Sequence, residues 1–390
     1  MSFLRAARAA LAGQSCLPRM FVAFVAVVVL AGLSLSCGSS SHSTSGPNHN
    51  AYVTLPSRGS VLLLHITGAT GAITLGAETP QVQDTTPTGI ALLPSKKFLY
   101  AVNSFANTIS IFKVASDGTL ALSGTPTPAG GSSPNAAVID PSGKYLLVTN
   151  NLSNTVSVFS IDAGTGALSQ VGSPVPANFH PAEILITPSG KFVYVTNPDI
   201  GMVTAFTFST GVLTQLPSSP VPSGAGAFGL AVDGSERFLY VANPSASNPP
   251  PFSSTTGNIS GFNIEPSGVL MPIVGSPFTA TNGKGPSAIT VDPSGKFVYA
   301  TTPGSSFSIW CFTITPTNGQ LVAATNSPFS LTAGGLFAFI DPSGNHLYIG
   351  SQDANGIAGY TFDPSTGTPT AIAGSPFSTV AAPGKMVVSE

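Results

Sequence analysis

Acid–base chemistry has few places to sit in this sequence. His180 and Glu183, three residues apart, form the pair best suited to it. A carboxylate beside an imidazole can act as general base and orienting group, activating water for attack on a carbonyl near neutral pH. Arg58, Asp199, Lys284, Asp353 and Lys385 fall in the same class of loop. Lys284 and Lys385 are the cations on which a phosphate or carboxylate would rest. The alternative is a solvated Glu183 and a His180 that merely shapes a His-Pro turn. Other chemistries find no support. Two of the five histidines, His42 and His49, lie close to the N-terminal leader, so no zinc set is visible and no cofactor is expected. No Gly-x-Ser-x-Gly elbow, phosphate-binding loop or dinucleotide fingerprint precedes a helix, and no long helix is expected at all.

The elements that must position these residues are read from a repeat. Pro188-Ser-Gly-Lys-Phe-Val-Tyr-Val-Thr-Asn197 is a tight turn followed by a β-branched and aromatic strand, and it recurs at Asp140–Asn150 and Asp292–Thr301. Looser copies begin at Pro94, Asp233 and Asp341. The Asp residues at 140, 292 and 341 belong to the turns, where a carboxylate bonds the backbone locally. Each copy is followed by a strand with a large apolar residue at one place: Leu64, Phe112, Phe159, Phe206, Phe262, Phe312 and Tyr360, spaced by about 47 to 56 residues. A third strand follows a Thr/Ser-Gly turn, and a fourth leads back into the next copy.

Four strands per period, seven times, specify an all-β, seven-bladed propeller over 51–390. The chain starts on a second strand and ends on an innermost one, so the C-terminal strand should complete the first blade and close the ring. Strand direction puts the Asp-Pro-Ser-Gly turns on a lower face. Glu183 and Lys385 are the charged residues at the level of Gly89, Ala136, Gly229, Ala288 and Phe337 on the innermost strands, with His180 just above Glu183. Asn197 ends its strand toward the upper face, where a central mouth is the expected binding place. With Arg58, Asp199, Lys284 and Lys385, it makes up the candidate binding set. The 244–256 stretch is enlarged and Pro/Ser-rich, either a lid or a bland insertion.

The Tyr-Val-Thr-Asn words at 194–197 and their variants resemble the YVTN repeats of lactonase-type seven-bladed propellers, a group that includes 6-phosphogluconolactonase-like proteins and many cell-surface repeat proteins. The resemblance covers about 51–390. It implies a mouth where enzymatic members gather Arg, His and acidic residues around a charged lactone. This chain departs from that pattern: downstream of the leader its arginines are Arg58 and Arg237, and Arg237 belongs to a lower-face turn.

The remaining composition sets context. Only 7% of residues are charged, against roughly 25% in ordinary domains. With no Lys/Arg cluster, nucleic acid and anionic membrane surfaces are poor partners. Residues 1–36 read as an export signal, with Arg5, Arg8 and Arg19 before the apolar stretch 21–35. Leu33-Ser-Leu-Ser-Cys37 resembles a bacterial lipobox, which implies lipidation at Cys37; ordinary cleavage near 36–39 is the alternative. Residues 37–50 read as a flexible tether. Cys311, beside Trp310, is expected to be a buried small hydrophobe. The expected protein is therefore a monomer outside the cytoplasm, lipid-anchored or secreted, with a small-molecule or cell-envelope partner at its upper mouth. Its expected role is a binding or scaffold module; the alternative is a lactone hydrolase using His180 and Glu183.

Overall fold

In four blades the turn between the innermost strand and the next is closed by its own first residue, an aspartate. Asp140 Oδ1 accepts the backbone N–H groups of Lys144 and Tyr145 at 2.8 and 2.6 Å, and Asp292 does the same for Lys296 (2.8 Å) and Phe297 (2.5 Å). Asp233 and Asp341 repeat the arrangement. All four carboxylates are buried, so their recurrence is structural. In the computed structural model, residues 48–81, 85–244, 257–279, 285–302, 308–331, 335–351 and 354–389 are described. The leader, Cys37, nearly all of the tether, Lys284, Asp353 and residues 245–256 of the enlarged loop lie outside them.

Seven antiparallel sheets form the ring. Blade I consists of the strands Met386–Val388, His49–Leu55, Ser60–Ile66 and Ile73–Glu78. Blades II to VII occupy 87–128, 134–176, 184–222, 230–272, 288–330 and 337–378. The C-terminal strand pairs with the first one, Tyr52 opposite Val387, as the ring closure requires. Two boundaries differ from the sequence reading. His49 and Asn50 are not tether: they pair with Ile66 and His65, and the His49 ring bonds the Ser389 carbonyl, tying the two ends of the domain. In most blades the outermost strand is broken in two, its second piece pairing with the other half of the third strand, as Leu168–Gln170 and Val175–Pro176 both do along Thr155–Ile161.

The core sits between blades. Each of seven clusters of buried side chains draws on two neighbouring blades, for example Tyr194, Val203 and Ala205 of blade IV with Leu239, Val241 and Phe262 of blade V. The recurring position filled by Leu64, Phe112, Phe159, Phe206, Phe262, Phe312 and Tyr360 is buried throughout. Burying each such side chain contributes roughly 1.5–3 kcal/mol.

One contact recurs between blades with almost no variation. The tyrosine of the repeat donates its hydroxyl to a glycine carbonyl in the turn that precedes the next blade's outermost strand: Tyr52 to Gly118, Tyr100 to Gly166, Tyr194 to Gly268, Tyr240 to Gly319, Tyr299 to Gly367 and Tyr348 to Gly71, at 2.7–3.0 Å. The side chain two residues before each tyrosine lies against the same glycine. At Gly268, with φ +85°, a Cβ would stand 2.3 Å from the Phe192 ring, so only glycine fits. Blade III carries Leu147 in place of the tyrosine and keeps only the packing half, Tyr145 against Gly211.

This contact makes two tests. Tyr194→Phe leaves the buried Gly268 carbonyl without its partner and should lower stability by about 1–2 kcal/mol; Gly268→Ala adds backbone strain and a clash, about 2–4 kcal/mol. Urea unfolding of both variants checks the order, and an equal or reversed ranking would contradict the geometry. The second test is alkaline. Burial, with the Asp117 carboxylate adding to it, pushes Tyr52 from 10.0 up to about 12, and the other five tyrosines are raised by burial too. Because the folded state binds these protons more tightly, stability is fully present below the unfolded value of about 10 and is lost as pH rises from there through the folded values. Unfolding midpoints measured from neutral pH upward should hold until about pH 10 and then fall steeply.

Candidate functional site

The same repeat that staples the blades also presents the channel. A threonine near the end of the repeat strand is buried and holds the start of the adjacent innermost strand. Thr196 Oγ1 accepts from the Glu183 N–H (3.1 Å), and Thr54 Oγ1 accepts from the Lys385 N–H (2.9 Å). Each hydroxyl thereby fixes a backbone at the channel wall. Glu183 and Lys385 meet there: the Lys385 ammonium donates to Glu183 Oε1 from the opposite side of the channel and stands 5.7 Å above the Phe228 ring. They line a cavity of about 170 Å³ with Phe228, Ser287, Phe337 and Met386 among its other walls. Neighbouring innermost strands approach closely at their glycines: a Cβ on Gly89 would meet the Asn135 carbonyl oxygen, and one on Gly229 the Ser287 carbonyl oxygen, each at 2.7 Å.

The loop 177–183 delivers the second polar pair, and it is clamped along its length. Asn197 Nδ2 donates to the carbonyls of Ala177 (2.8 Å) and Phe179 (3.0 Å), Asn154 Oδ1 accepts the His180 N–H (2.8 Å), and Thr149 Oγ1 donates to the Ala182 carbonyl (2.9 Å). These bonds hold His180 at φ +45°, a region a non-glycine residue occupies only when its surroundings require it. The His180 ring lies on Phe179, centroids 3.9 Å apart, and its Nδ1 bonds Asp199 Oδ2 at 2.5 Å. With Nδ1–H given to the carboxylate, Nε2 carries the lone pair and can accept a proton.

The predicted site residues therefore sort differently from the sequence reading. His180 pairs with Asp199, not with Glu183, whose partner is Lys385. Glu183 and Lys385 line the channel cavity; His180, on the 177–183 loop, and Asp199, in the Pro198–Ile200 turn, are not among its lining residues. Asn197 is not a binding residue on the open face. It is fully buried, and its amide oxygen also accepts from Thr204 (2.7 Å), so both ends are spent on the fold. Arg58 is held away from the mouth: its guanidinium makes a two-pronged bond to Glu78, on the outermost strand of blade I, at 2.7 and 3.1 Å. Among the described residues no three His, Cys, Asp or Glu side chains gather where they could hold a metal ion.

What the sequence reading missed is the use of the final Thr and Asn of each repeat as clamps. Their recurrence beside Ser and Thr partners, as in Asn103 with Thr108 and Ser110 or Asn150 with Thr155 and Ser157, was the available signal.

The one free cysteine of the described residues is chemically silent. Burial, opposed by a Tyr299 hydrogen bond and aided by the Asp292 charge, pushes the Cys311 thiol from 9.0 up to about 12. Since only the thiolate reacts, mapping of iodoacetamide adducts near pH 8 should find Cys311 unlabelled in native protein and labelled in denaturant; native labelling would show that the blade VI–VII interface opens.

A family model described as lactonase, 7-bladed beta-propeller, matches residues 42–179 and 176–388. Among solved structures, the chain is similar to a putative 6-phosphogluconolactonase from Bacteroides fragilis (21% identity, 89% of this chain and 99% of that one, TM-score 0.75). It is also similar to a putative 6-phosphogluconolactonase from Bacteroides uniformis (20% identity, 88% and 100%, TM-score 0.73) and to a periplasmic gluconolactonase from Pseudomonas aeruginosa (18% identity, 88% and 99%, TM-score 0.72). A search of curated proteins gives no match. At these identities the likeness to solved structures speaks for the fold.

Proposed function

Because this chain belongs to the seven-bladed lactonase β-propeller family, we propose that it is a lactone hydrolase that opens an uncharged sugar lactone at the upper end of its channel. The observation that carries this reading is the loop 177–183, which holds, three residues apart, His180 paired with Asp199 and Glu183 paired with Lys385. The family match favours hydrolysis over the binding or scaffold role expected from the sparse charges.

In the proposed mechanism, His180 Nε2 takes a proton from a water molecule as that water's oxygen bonds to the lactone carbonyl carbon. The resulting oxyanion is stabilised by the Lys385 ammonium, which Glu183 holds in place. The ring C–O bond then breaks, and the departing alkoxide takes the proton back from His180, giving the open-chain hydroxy acid. Asp199 keeps the imidazole in the productive tautomer and stabilises its cationic form.

An uncharged substrate is proposed because the cavity's two described charges cancel and Arg58 is committed to Glu78. A phosphorylated sugar would bring two negative charges to a wall with no spare cation among the described residues. The export signal and Cys37 support a location outside the cytoplasm. His49 enters at the end of the ring that carries the Asp-Pro-Ser-Gly turns, so an anchor there would present the mouth outward.

The test is hydrolysis of gluconolactone and 6-phosphogluconolactone by the purified protein, followed by pH-stat and corrected for spontaneous opening. Gluconolactone should have the higher kcat/KM. His180→Ala should lower kcat about 10²- to 10⁴-fold, in the range of a lost general base. Lys385→Met should cost about 10²-fold or more, in the range of a lost oxyanion donor. No turnover above background would return the protein to the binding-module reading, in which the Glu183–Lys385 pair simply closes the channel. Full activity of the His180 and Lys385 variants would remove the mechanism.

A further inference from the structure

A second cavity, of about 420 Å³, opens on the upper face between blades II and III and has no part in the chemistry above. Its walls carry hydroxyl and amide groups around two exposed apolar side chains, Phe105 at 75% and Leu152 at 63% of full exposure. No lining residue is ionisable. An aromatic ring left this open beside unspent hydrogen-bonding groups calls for an occupant that has both an apolar face and neutral polar groups.

The polar groups are already aimed. Asn107 sits at φ +57°, and its Oδ1 accepts the Ser133 N–H at 2.6 Å, which leaves its NH₂ free to donate. The Thr86 and Ser132 hydroxyls have no partner among the described residues, although both residues use their backbones: the Thr86 carbonyl accepts from Ser104, and the Ser132 N–H donates to Ser153 Oγ. Ser104 and Ser133 share one hydroxyl–hydroxyl bond at 3.1 Å, so one further donor is available between them. The rim is thus fixed by backbone bonds while side-chain donors and acceptors remain open.

We infer that this cleft is a binding site for a neutral pyranose sugar, one residue of a polysaccharide or oligosaccharide chain, stacked on Phe105. A pyranose ring has an apolar C–H face that packs on an aromatic ring, and its equatorial hydroxyls match Asn107, Thr86 and Ser132. The absence of cations among the lining residues disfavours phosphate-bearing and acidic ligands. The ring of hydroxyls disfavours a purely apolar peptide, which would leave them unpaired. A site of this kind would hold the protein to a glycan while the channel acts on small lactones.

Calorimetric titration of the full chain with cellohexaose, xylohexaose and chitohexaose tests the proposal. Binding of at least one is expected, weakened about tenfold by Phe105→Ala, the loss of one stacking platform, and retained by Phe105→Tyr. Phe105 is exposed, so the alanine variant should melt with the parent protein. Its lactone hydrolysis should equal that of the parent protein, which separates this site from the channel: the loss of sugar binding is expected whether or not the parent hydrolyses lactones. No binding of any of the three sugars, unchanged binding by Phe105→Ala, or binding of an apolar peptide instead would overturn it.

Discussion

Everything in this molecule depends on blades meeting their neighbours in one register, and the tyrosine–glycine contact sets it. A four-stranded sheet with apolar side chains on both faces cannot bury both of them alone. Packing alone would also be permissive, because apolar clusters slide and repack at modest expense. A buried hydroxyl that must find a carbonyl is not permissive: any shift leaves two polar groups unpaired in a dry interface. Placing the side chain two residues upstream directly on the same glycine removes the remaining freedom. Blade III shows the division between the two components. With Leu147 it loses the hydrogen bond, yet the ring still closes because Tyr145 keeps the steric half against Gly211.

The repeat's final residues carry this order upward. Tyrosine fixes the blade from the lower half, threonine pins the adjoining innermost strand to the channel wall, and asparagine ties down the upper loop. Their side chains are buried, so the motif that looks most like a functional signature spends its polar atoms on the fold. Its effect on function is indirect: Thr54 and Thr196 set where Lys385 and Glu183 start, and Asn197 and Asn154 set where His180 stands. The site is preorganised because its supports are repeated structural bonds rather than special ones.

How much of this was legible follows from what each feature leaves in the sequence. The seven blades, the wrap-around closure and the aromatic column were readable because turn chemistry and strand alternation are local and recur. Glu183 and Lys385 were readable as a level of the ring by simple alignment of innermost strands. Their bond across the channel was not, since it joins residues 202 apart in sequence through side-chain reach alone. The pairing of His180 with Asp199 was hidden for a different reason: Asp199 belongs to the loop after the repeat strand, and its nearness to His180 depends on how far that loop leans over its neighbour. Asn197 misled because strand direction tells which face a residue approaches, not whether its amide is already engaged.

The same comparison explains where chemistry enters such a regular object. Phe105, Leu152 and Asp199 occupy one position of the upper loops, each 47 residues from the next, and Ser133 and His180 are likewise equivalent, each donating its backbone N–H to the Asn side chain of the preceding loop. The loop-to-loop backbone bond is therefore shared by the II–III and III–IV junctions, and the side chains mounted on it differ. Phenylalanine, leucine and serine make a neutral, partly apolar cleft at the first; aspartate and histidine make an acid–base pair at the second. In a chain with so few charges, a carboxylate and an imidazole that replace an apolar side chain and a serine at adjoining points of one repeat are a concentrated departure from the pattern. Repetition supplies the geometry at every junction, and the departures from it decide which junction binds and which can react.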